Sequence, residues 1–192
     1  PGKGRGSGCY VTYKGAHLIV TAAHVFDDAN TNWLWIVRGK KKVKGHPVYF
    51  DKGEDIALVA TKPLDMVKPT RLNVRTPYPP VGEELTYSGY PGRHDLLTIR
   101  GEVVGYQKIW DEREKVVVHT YGWPGASGSC FFDKRGRMVG VLVAIPIGRG
   151  YVPQLLESMV FATPIKVLDL DKLNENLCKL HTDIRPHFCM RR

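Results

Sequence analysis

Long apolar runs are missing from this chain of 192 residues, which excludes a helix that crosses a bilayer within the sequence itself. The first six residues, Pro-Gly-Lys-Gly-Arg-Gly, also lack the apolar core of a signal peptide. Because an initiator methionine is missing too, we expect a soluble piece of a longer product, with any membrane anchor or targeting segment outside it.

Cysteine is scarce, with four residues in total, and none lies between Cys9 and Cys130. Both of these cysteines fall in apolar, strand-like stretches, so we predict that they are small core residues. This usage favours a reducing compartment, although a bridge between two of the cysteines stays open as an alternative.

The other two cysteines belong to a tail with four potential zinc ligands, which are Cys178, His181, His187 and Cys189. Their spacing matches no common zinc finger, and a His-x-Cys pair is cramped for tetrahedral ligation. We therefore predict a helix end followed by a basic tail, with no metal and no other cofactor.

Acidic residues are outnumbered, 19 against 28 Lys and Arg, which leaves a formal net charge of +9. The densest basic run comprises Lys40, Lys41, Lys42 and Lys44. Such charge favours RNA or anionic surfaces as weak partners. The competing interpretation is a solvated hairpin tip, because no aromatic residue interleaves with the lysines in the sequence.

The most informative stretch is Gly-Ala-Ser-Gly at residues 125–128. A serine hydroxyl is a poor nucleophile at neutral pH, so it needs a base, a group that orients the base, and donors for an oxyanion. The glycines on either side of Ser127 permit backbone conformations in which the N–H groups of Gly125 and Ser127 converge on one point. Taken alone, the stretch also fits an ordinary flexible loop.

Candidate partners for this serine lie upstream in the chain. His24 follows an apolar strand and two alanines in Thr-Ala-Ala-His, and Asp55 heads the apolar strand in Asp-Ile-Ala-Leu. A carboxylate beside the imidazole would fix its tautomer and stabilise the imidazolium. Asp51 and Glu54 are the nearest rivals of Asp55 for this role.

The chain order His24, Asp55, Ser127 is that of chymotrypsin-like enzymes and differs from the order in subtilisins and α/β-hydrolases. Over positions 7 to 165, Thr-Ala-Ala-His, Asp-Ile-Ala-Leu and Gly-x-Ser-Gly resemble the three catalytic segments of trypsin-like serine proteases. The resemblance implies a catalytic triad of these residues. Secreted relatives usually place a disulfide around the catalytic histidine, and this chain has no cysteine near His24.

Short apolar or alternating runs, separated by Gly, Lys and Asp turns, predict an all-β fold. Six runs in each half predict two six-stranded antiparallel β-barrels of the chymotrypsin-like kind. The pair Arg135–Gly136 predicts a tight hairpin in the second barrel. Helical spacing follows, with Thr163 as the expected cap and Pro164 as the first helical residue, and the resemblance also implies a C-terminal helix.

These patterns divide the chain into four parts. We place the N-terminal barrel at residues 1–67, a proline-rich inter-barrel linker at 68–80, the C-terminal barrel at 81–163, and the helix with its basic tail at 164–192. On this architecture the histidine and aspartate come from one barrel and the serine from the other, so the site assembles across the cleft.

The resemblance implies that substrate lies in this cleft and pairs with the strand that follows the nucleophile. The residues predicted to bind substrate are His119, Thr120, Tyr121, Gly122, Leu142, Val143 and Ala144. No acid stands where trypsin binds Lys or Arg, and Leu142 occupies the place of a histidine in viral enzymes that prefer Gln or Glu. We therefore expect an apolar or aromatic residue before the cleaved bond.

In its compact loops, missing disulfides and basic charge, the chain is similar to polyprotein-processing serine proteases of positive-strand RNA viruses, of the sobemovirus and astrovirus types. This similarity implies an endopeptidase that cleaves a polypeptide, such as its own polyprotein, in the host cytoplasm. A bacterial HtrA-like protease domain is the alternative relative. Two other functions stay open: an inactive module of this fold that binds RNA or a protein partner, and an esterase.

Overall fold

The computed structural model of the protein describes residues 5–26, 33–65, 67–74, 77–109, 112–148, 154–155, 158–181 and 183–190. Within these ranges the strands are β1 (Cys9–Tyr13), β2 (Ala16–Thr21), β3 (Leu34–Arg38), β4 (Lys41–Asp51), β5 (Ile56–Thr61), β6 (Thr70–Arg71), β7 (Glu84–Gly89), β8 (Leu97–Ile109), β9 (Arg113–His119), β10 (Cys130–Phe132), β11 (Met138–Ala144), β12 (Ile147–Gly148), β13 (Gln154–Leu155) and β14 (Met159–Pro164). Helix α1 (Leu170–Cys178) follows, and short 3-10 turns occupy Ala23–Val25, Pro91–Arg93, Ile165–Val167 and His187–Met190.

The N-terminal lobe is a six-stranded sheet in the order β3-β4-β5-β2-β1-β6, which over the described residues is not closed into the predicted barrel. Strand β5 is buried along its whole length, because its apolar sequence contacts neighbours on both faces. Five strands pair antiparallel as predicted, but β6 pairs parallel with β1. This short strand lies inside the segment expected to be a linker, and two residues are too few to show a periodic pattern. The predicted domain limits themselves stay predictions.

The C-terminal lobe is a closed barrel in the order β10-β11-β14-β9-β8-β7, which confirms the predicted second barrel. The β10–β11 hairpin turns at Arg135 and Gly136, where Gly136 has a φ of +72°. The carboxylate of Asp133 accepts hydrogen bonds from the backbone N–H groups of Arg135 and Arg137, which fixes the turn. A further short hairpin, β12–β13, forms a separate two-stranded sheet.

A single apolar cluster joins both lobes and helix α1. Buried side chains of the first sheet, the barrel and the helix belong to it, including Leu58, Val141, Phe161, Leu173 and Leu177. The lobes are therefore packed through a common core, so their relative positions are set by burial of apolar surface.

The C-terminal helix begins later than the sequence predicts. Thr163 lies in β14, where its buried hydroxyl donates to a backbone carbonyl, and Pro164 ends that strand. The helix starts at Leu170, because the Asp169 carboxylate accepts hydrogen bonds from the N–H groups of Asp171 and Lys172 and so caps the first turn.

All four cysteines form disulfides, Cys9 with Cys130 and Cys178 with Cys189. The prediction that Cys9 and Cys130 are free core residues is therefore wrong, since the contact between the lobes brings β1 against β10, which the separate strand patterns do not show. The second disulfide joins Cys178 and Cys189, so neither of these candidate zinc ligands is a free thiolate. His181 of that set lies near Asp183, with the two side chains 3.7 Å apart.

Helices of the length and apolarity that a bilayer crossing requires do not occur in the ranges given above.

Candidate active site

The turn after β2 and the turn before β5 bring His24 and Asp55 together. Because β2 and β5 run antiparallel, the end of one strand lies beside the start of the other. Asp55 Oδ2 lies 2.7 Å from His24 Nδ1, and Asp55 Oδ1 accepts the backbone N–H of His24 at 2.8 Å. The carboxylate is 10% exposed and the imidazole 49% exposed. A carboxylate on Nδ1 favours the tautomer in which Nε2 is the proton acceptor.

The two neighbouring acids have other partners. Asp51 accepts the backbone N–H of Glu54 at 2.9 Å and so closes the turn between β4 and β5. The Glu54 carboxylate binds Arg113 at 2.9 Å and Lys115 at 2.6 Å, on strand β9 of the other lobe. Among the three acids of this turn, Asp55 is therefore the one in contact with the imidazole.

Asp55 adopts a left-handed backbone, with a φ of +56°, which few residues other than glycine tolerate. Hydrogen bonds fix Asp55 through its own side chain and through the carbonyl of the residue before it. Its side chain is anchored on His24, and the preceding carbonyl of Glu54 accepts hydrogen bonds from Lys115 Nζ at 3.1 Å and Thr163 Oγ1 at 2.6 Å. The C-terminal lobe thus holds the backbone of the N-terminal acid in place, and local strain persists because the surroundings fix it.

The loop that carries Ser127 packs directly on the N-terminal lobe. Its two glycines have φ values of +102° at Gly125 and +89° at Gly128. A Cβ atom at Gly128 would lie 2.1 Å from the Ser7 carbonyl and 3.1 Å from the Ala22 nitrogen. Only glycine fits at this position, and the close approach brings Ser127 to the segment that leads into His24.

Hydrogen bonds from Ser7 of the N-terminal lobe and from the β7–β8 connection fix the backbone of this loop, and we call this set of bonds the brace. Gly92 N–H donates to the Pro124 carbonyl at 2.8 Å, and Ser7 Oγ donates to the Gly125 carbonyl at 2.8 Å. Tyr90 N–H in turn donates to Ser7 Oγ at 3.0 Å. Because a trans peptide points its N–H opposite to its carbonyl, the bond from Gly92 turns the Gly125 N–H away from that segment. These bonds orient one of the two predicted oxyanion donors.

The predicted substrate-binding residues fall into two groups. His119, Thr120 and Tyr121 line an open cleft of about 780 Å³. Gly122 is buried against Ile145 and Val160, and a Cβ atom there would lie 2.4 Å from Val160 Cγ1. Leu142 and Val143 pack in the apolar clusters, and Ala144 is half-buried. The structure therefore brings the first group to one surface and uses two side chains of the second in the core.

Tyr87 supports the predicted pocket from beneath. Its hydroxyl donates to the Tyr121 carbonyl at 2.6 Å, and its ring meets Phe131 edge to face. Burial raises the pKa of Tyr87 to about 12. A phenol keeps its proton at neutral pH even at its ordinary pKa, and the raised pKa lets Tyr87 remain a donor to this carbonyl in more alkaline solution.

Sequence reasoning missed the supporting residues Ser7, Gly92 and Lys115. Each lies far along the chain from the residue it supports, so no local spacing indicates the contact. A lysine directly before the apolar run Val116–Val118 of β9 is the one available signal, since a cation next to a buried strand needs a partner.

Residues 6–141 match the family model of the trypsin-like peptidase domain, which is more than two thirds of the chain. The chain belongs to this family. Its first two predicted catalytic segments and the Gly-x-Ser-Gly stretch lie within the matched region. No curated protein sequence matches the chain significantly.

Solved structures with this fold include HtrA-type serine proteases. The Rv3671c protease of M. tuberculosis in its active form is 19% identical, with a TM-score of 0.66, over 91% of this chain and 72% of that one. The HtrA-type protease AlgW with a decapeptide is 18% identical, with a TM-score of 0.67, over 89% of this chain and 50% of AlgW. A serine endoprotease from Yersinia pestis is 18% identical, with a TM-score of 0.66, over 88% of this chain and 57% of that one. This chain thus spans about half of the length of the latter two.

Replacement of Ser7 by alanine removes the donor to the Gly125 carbonyl and the acceptor for Tyr90. Because a hydrogen bond of this kind contributes about 1 kcal/mol, we expect Ser7→Ala to lower kcat for peptide cleavage by about fivefold, with KM little changed. Steady-state kinetics measure both constants. Ser88→Ala, which removes a hydroxyl paired with Thr98 on the outer face, is the matched control. An unchanged kcat in a folded Ser7→Ala protein would contradict the brace.

Replacement of Lys115 by methionine leaves the Glu54 carboxylate without its buried partner. We expect the free energy of unfolding to fall by about 2–3 kcal/mol, because the carboxylate keeps only the partly exposed Arg113 as a cation and the Glu54 carbonyl loses its Lys115 donor. The double variant Glu54→Gln/Lys115→Met removes both charges and is expected to recover part of the loss. Urea unfolding measures each variant, and Lys41→Met, in an exposed ion pair with Asp65, is the control with little expected change. If Lys115→Met and Lys41→Met lowered the free energy of unfolding equally, the conclusion that the Lys115–Glu54 ion pair holds the two lobes together would be refuted.

Proposed function

We propose that this protein is a serine endopeptidase with Ser127 as nucleophile, His24 as general base and Asp55 as the residue that orients the base. The observation that carries the proposal is the two-point contact of Asp55 with His24, through Nδ1 and through the backbone N–H. A carboxylate that binds both groups fixes ring position and tautomer together, which is the task of the third member of a triad.

The reaction follows from these roles. His24 Nε2 takes the proton from Ser127 Oγ as the oxygen attacks the peptide carbonyl, and the oxyanion accepts hydrogen bonds from the N–H groups of Gly125 and Ser127. The imidazolium then gives its proton to the leaving amine, and an acyl-enzyme remains. Water loses a proton to His24 and attacks the ester, the proton returns to Ser127 Oγ, and the carboxylic product leaves.

The packing at Gly122 supports a preference for an apolar residue before the cleaved bond. Val160 lies behind this glycine and is fully buried, whereas Ile145 beside it is half-buried, so the aliphatic surface available at this point is that of Ile145. The cleft beside His119 and Tyr121 has mixed charge, because Arg100, Lys134 and Glu102 also line it. An apolar side chain is favoured next to the aliphatic wall, since burial of a carboxylate there would leave it unpaired.

The HtrA-like interpretation has more support than the viral one. HtrA-type proteases are among the structural neighbours, and one of them is solved with a bound decapeptide, which supports a polypeptide substrate here. Processing of a viral polyprotein stays a prediction from the sequence alone, as does binding of RNA through Lys40, Lys41, Lys42 and Lys44. The two disulfides favour an oxidising compartment over the reducing cytoplasm that the sequence suggested.

Ser127→Ala is expected to abolish cleavage of a peptide library and preserve the fold, with a loss of about 10⁴-fold or more in kcat, because the nucleophile itself is removed. The matched control is Ser129→Ala in the same loop. The Ser129 hydroxyl is fully buried and makes no hydrogen bond in the described part of the chain, so its removal is expected to leave cleavage intact.

The same assays, applied to the wild type and to both variants, separate the rival functions. Cleavage that persists in Ser127→Ala would refute the assignment of the nucleophile. A wild-type protein that cleaves no peptide would favour an inactive binding module, and turnover of ester substrates alone would favour an esterase. The residue preferred before the cut, measured in the same library, tests the predicted apolar preference.

A further inference from the structure

The edge strand β3 and the residue just before it carry large apolar side chains that no part of the described protein covers. Trp33, Trp35 and Val37 are 42%, 53% and 50% exposed. Leu34 and Ile36, between them in the sequence, instead pack against the core of the N-terminal lobe. The alternation shows that the hairpin has one buried face and one outer face, and that β3 presents apolar side chains on the outer face, where a solvated strand would be polar.

The strand register places lysines beside these exposed side chains. Trp35 pairs with Lys44 and Val37 pairs with Lys42, and paired residues project to the same face of a sheet. The Trp33 and Trp35 rings meet edge to face, with centroids 5.4 Å apart, and Lys44 Nζ lies 4.9 Å from the centre of the Trp33 ring. We call the surface formed by Trp33, Trp35, Val37, Lys42 and Lys44 the aromatic–basic face.

The two lysines of this face keep an uncompensated charge. Lys41, which projects from the other side of the strand, pairs with Asp65 at 3.1 Å. Lys42 and Lys44 form no ion pair with any residue that the structure describes. The formal net charge of +9 adds a long-range attraction toward anionic surfaces.

We propose that the aromatic–basic face docks on the surface of an anionic lipid bilayer. Indole rings favour the boundary between headgroups and acyl chains, because their apolar body is buried there and their N–H finds an oxygen acceptor. Lysine stems lie along apolar surface while the ammonium groups reach anionic headgroups. Both kinds of side chain project from one hairpin, so a single flat surface contacts them together.

The ring geometry favours lipid over single-stranded nucleic acid. A nucleic-acid platform offers free ring faces on which successive bases stack. Here the two indoles are inclined by 78°, and the ammonium of Lys44 lies over the face of Trp33. Val37 adds aliphatic surface that a bilayer buries and a phosphodiester chain does not. The face shares no residue with the candidate active site, so the proposal stands apart from the peptidase function.

Flotation of the full chain with vesicles tests this proposal. We expect binding to vesicles made of equal parts phosphatidylcholine and phosphatidylserine, weak binding to phosphatidylcholine alone, and a blue shift of tryptophan fluorescence on binding. Lys42→Glu/Lys44→Glu is expected to weaken binding about tenfold or more. Trp33→Ser/Trp35→Ser is expected to abolish the blue shift and most of the binding, and circular dichroism checks that each variant is folded.

The matched control is Lys52→Glu/Arg135→Glu, which changes the net charge by the same amount at exposed positions outside the face. Retained binding in this control, together with loss in the other two variants, supports the proposal. It is overturned if the wild type binds neither vesicle, if the control loses as much affinity as the lysine variant, or if the tryptophan variant binds as well as the wild type. Binding of single-stranded RNA through the same residues, without vesicle binding, would overturn it in favour of a nucleic-acid surface.

Discussion

The contact between the Ser127 loop and the N-terminal lobe is the constraint on which the candidate site depends. Gly128 approaches the Ser7 carbonyl too closely for any side chain, and Ser7 N–H donates to the Ser127 carbonyl at 2.8 Å. The same short segment therefore holds the Ser127 loop and packs beside the strand that leads to His24. Because Ser127 and His24 belong to different lobes, this contact sets how closely their segments approach.

Two further links join the lobes, one next to Asp55 and one near the Ser127 loop. Lys115 and Thr163 of the C-terminal barrel bind the Glu54 carbonyl, which fixes the backbone ahead of Asp55. The disulfide between Cys9 and Cys130 joins β1 to β10 close to the Ser127 loop. Each lobe thus positions a residue that the other lobe supplies, and a change in lobe packing would act on His24, Asp55 and Ser127 together.

Most strands and the second barrel could be predicted from the sequence, because alternation and glycine placement are local signals. The candidate triad stays a prediction from the three motifs. The sequence cannot show the parallel pairing of β6, since two residues carry no period. The helix begins later than the sequence predicts, because the hydroxyl of Thr163, the expected cap, donates to the Glu54 carbonyl, a partner 109 positions away. The aromatic residues beside the basic run were missed for a similar reason: Trp35 meets Lys44 only across the strand pair.

The central claim is that His24, Asp55 and Ser127 work as one unit at the seam between the lobes. Labelling with a serine-directed fluorophosphonate, followed by peptide mapping in a mass spectrometer, tests it most directly. The account predicts one adduct, on Ser127, formed by the wild type and lost on His24→Ala because the hydroxyl then has no base. An adduct on another serine, or labelling of Ser127 at the same rate without His24, would contradict it.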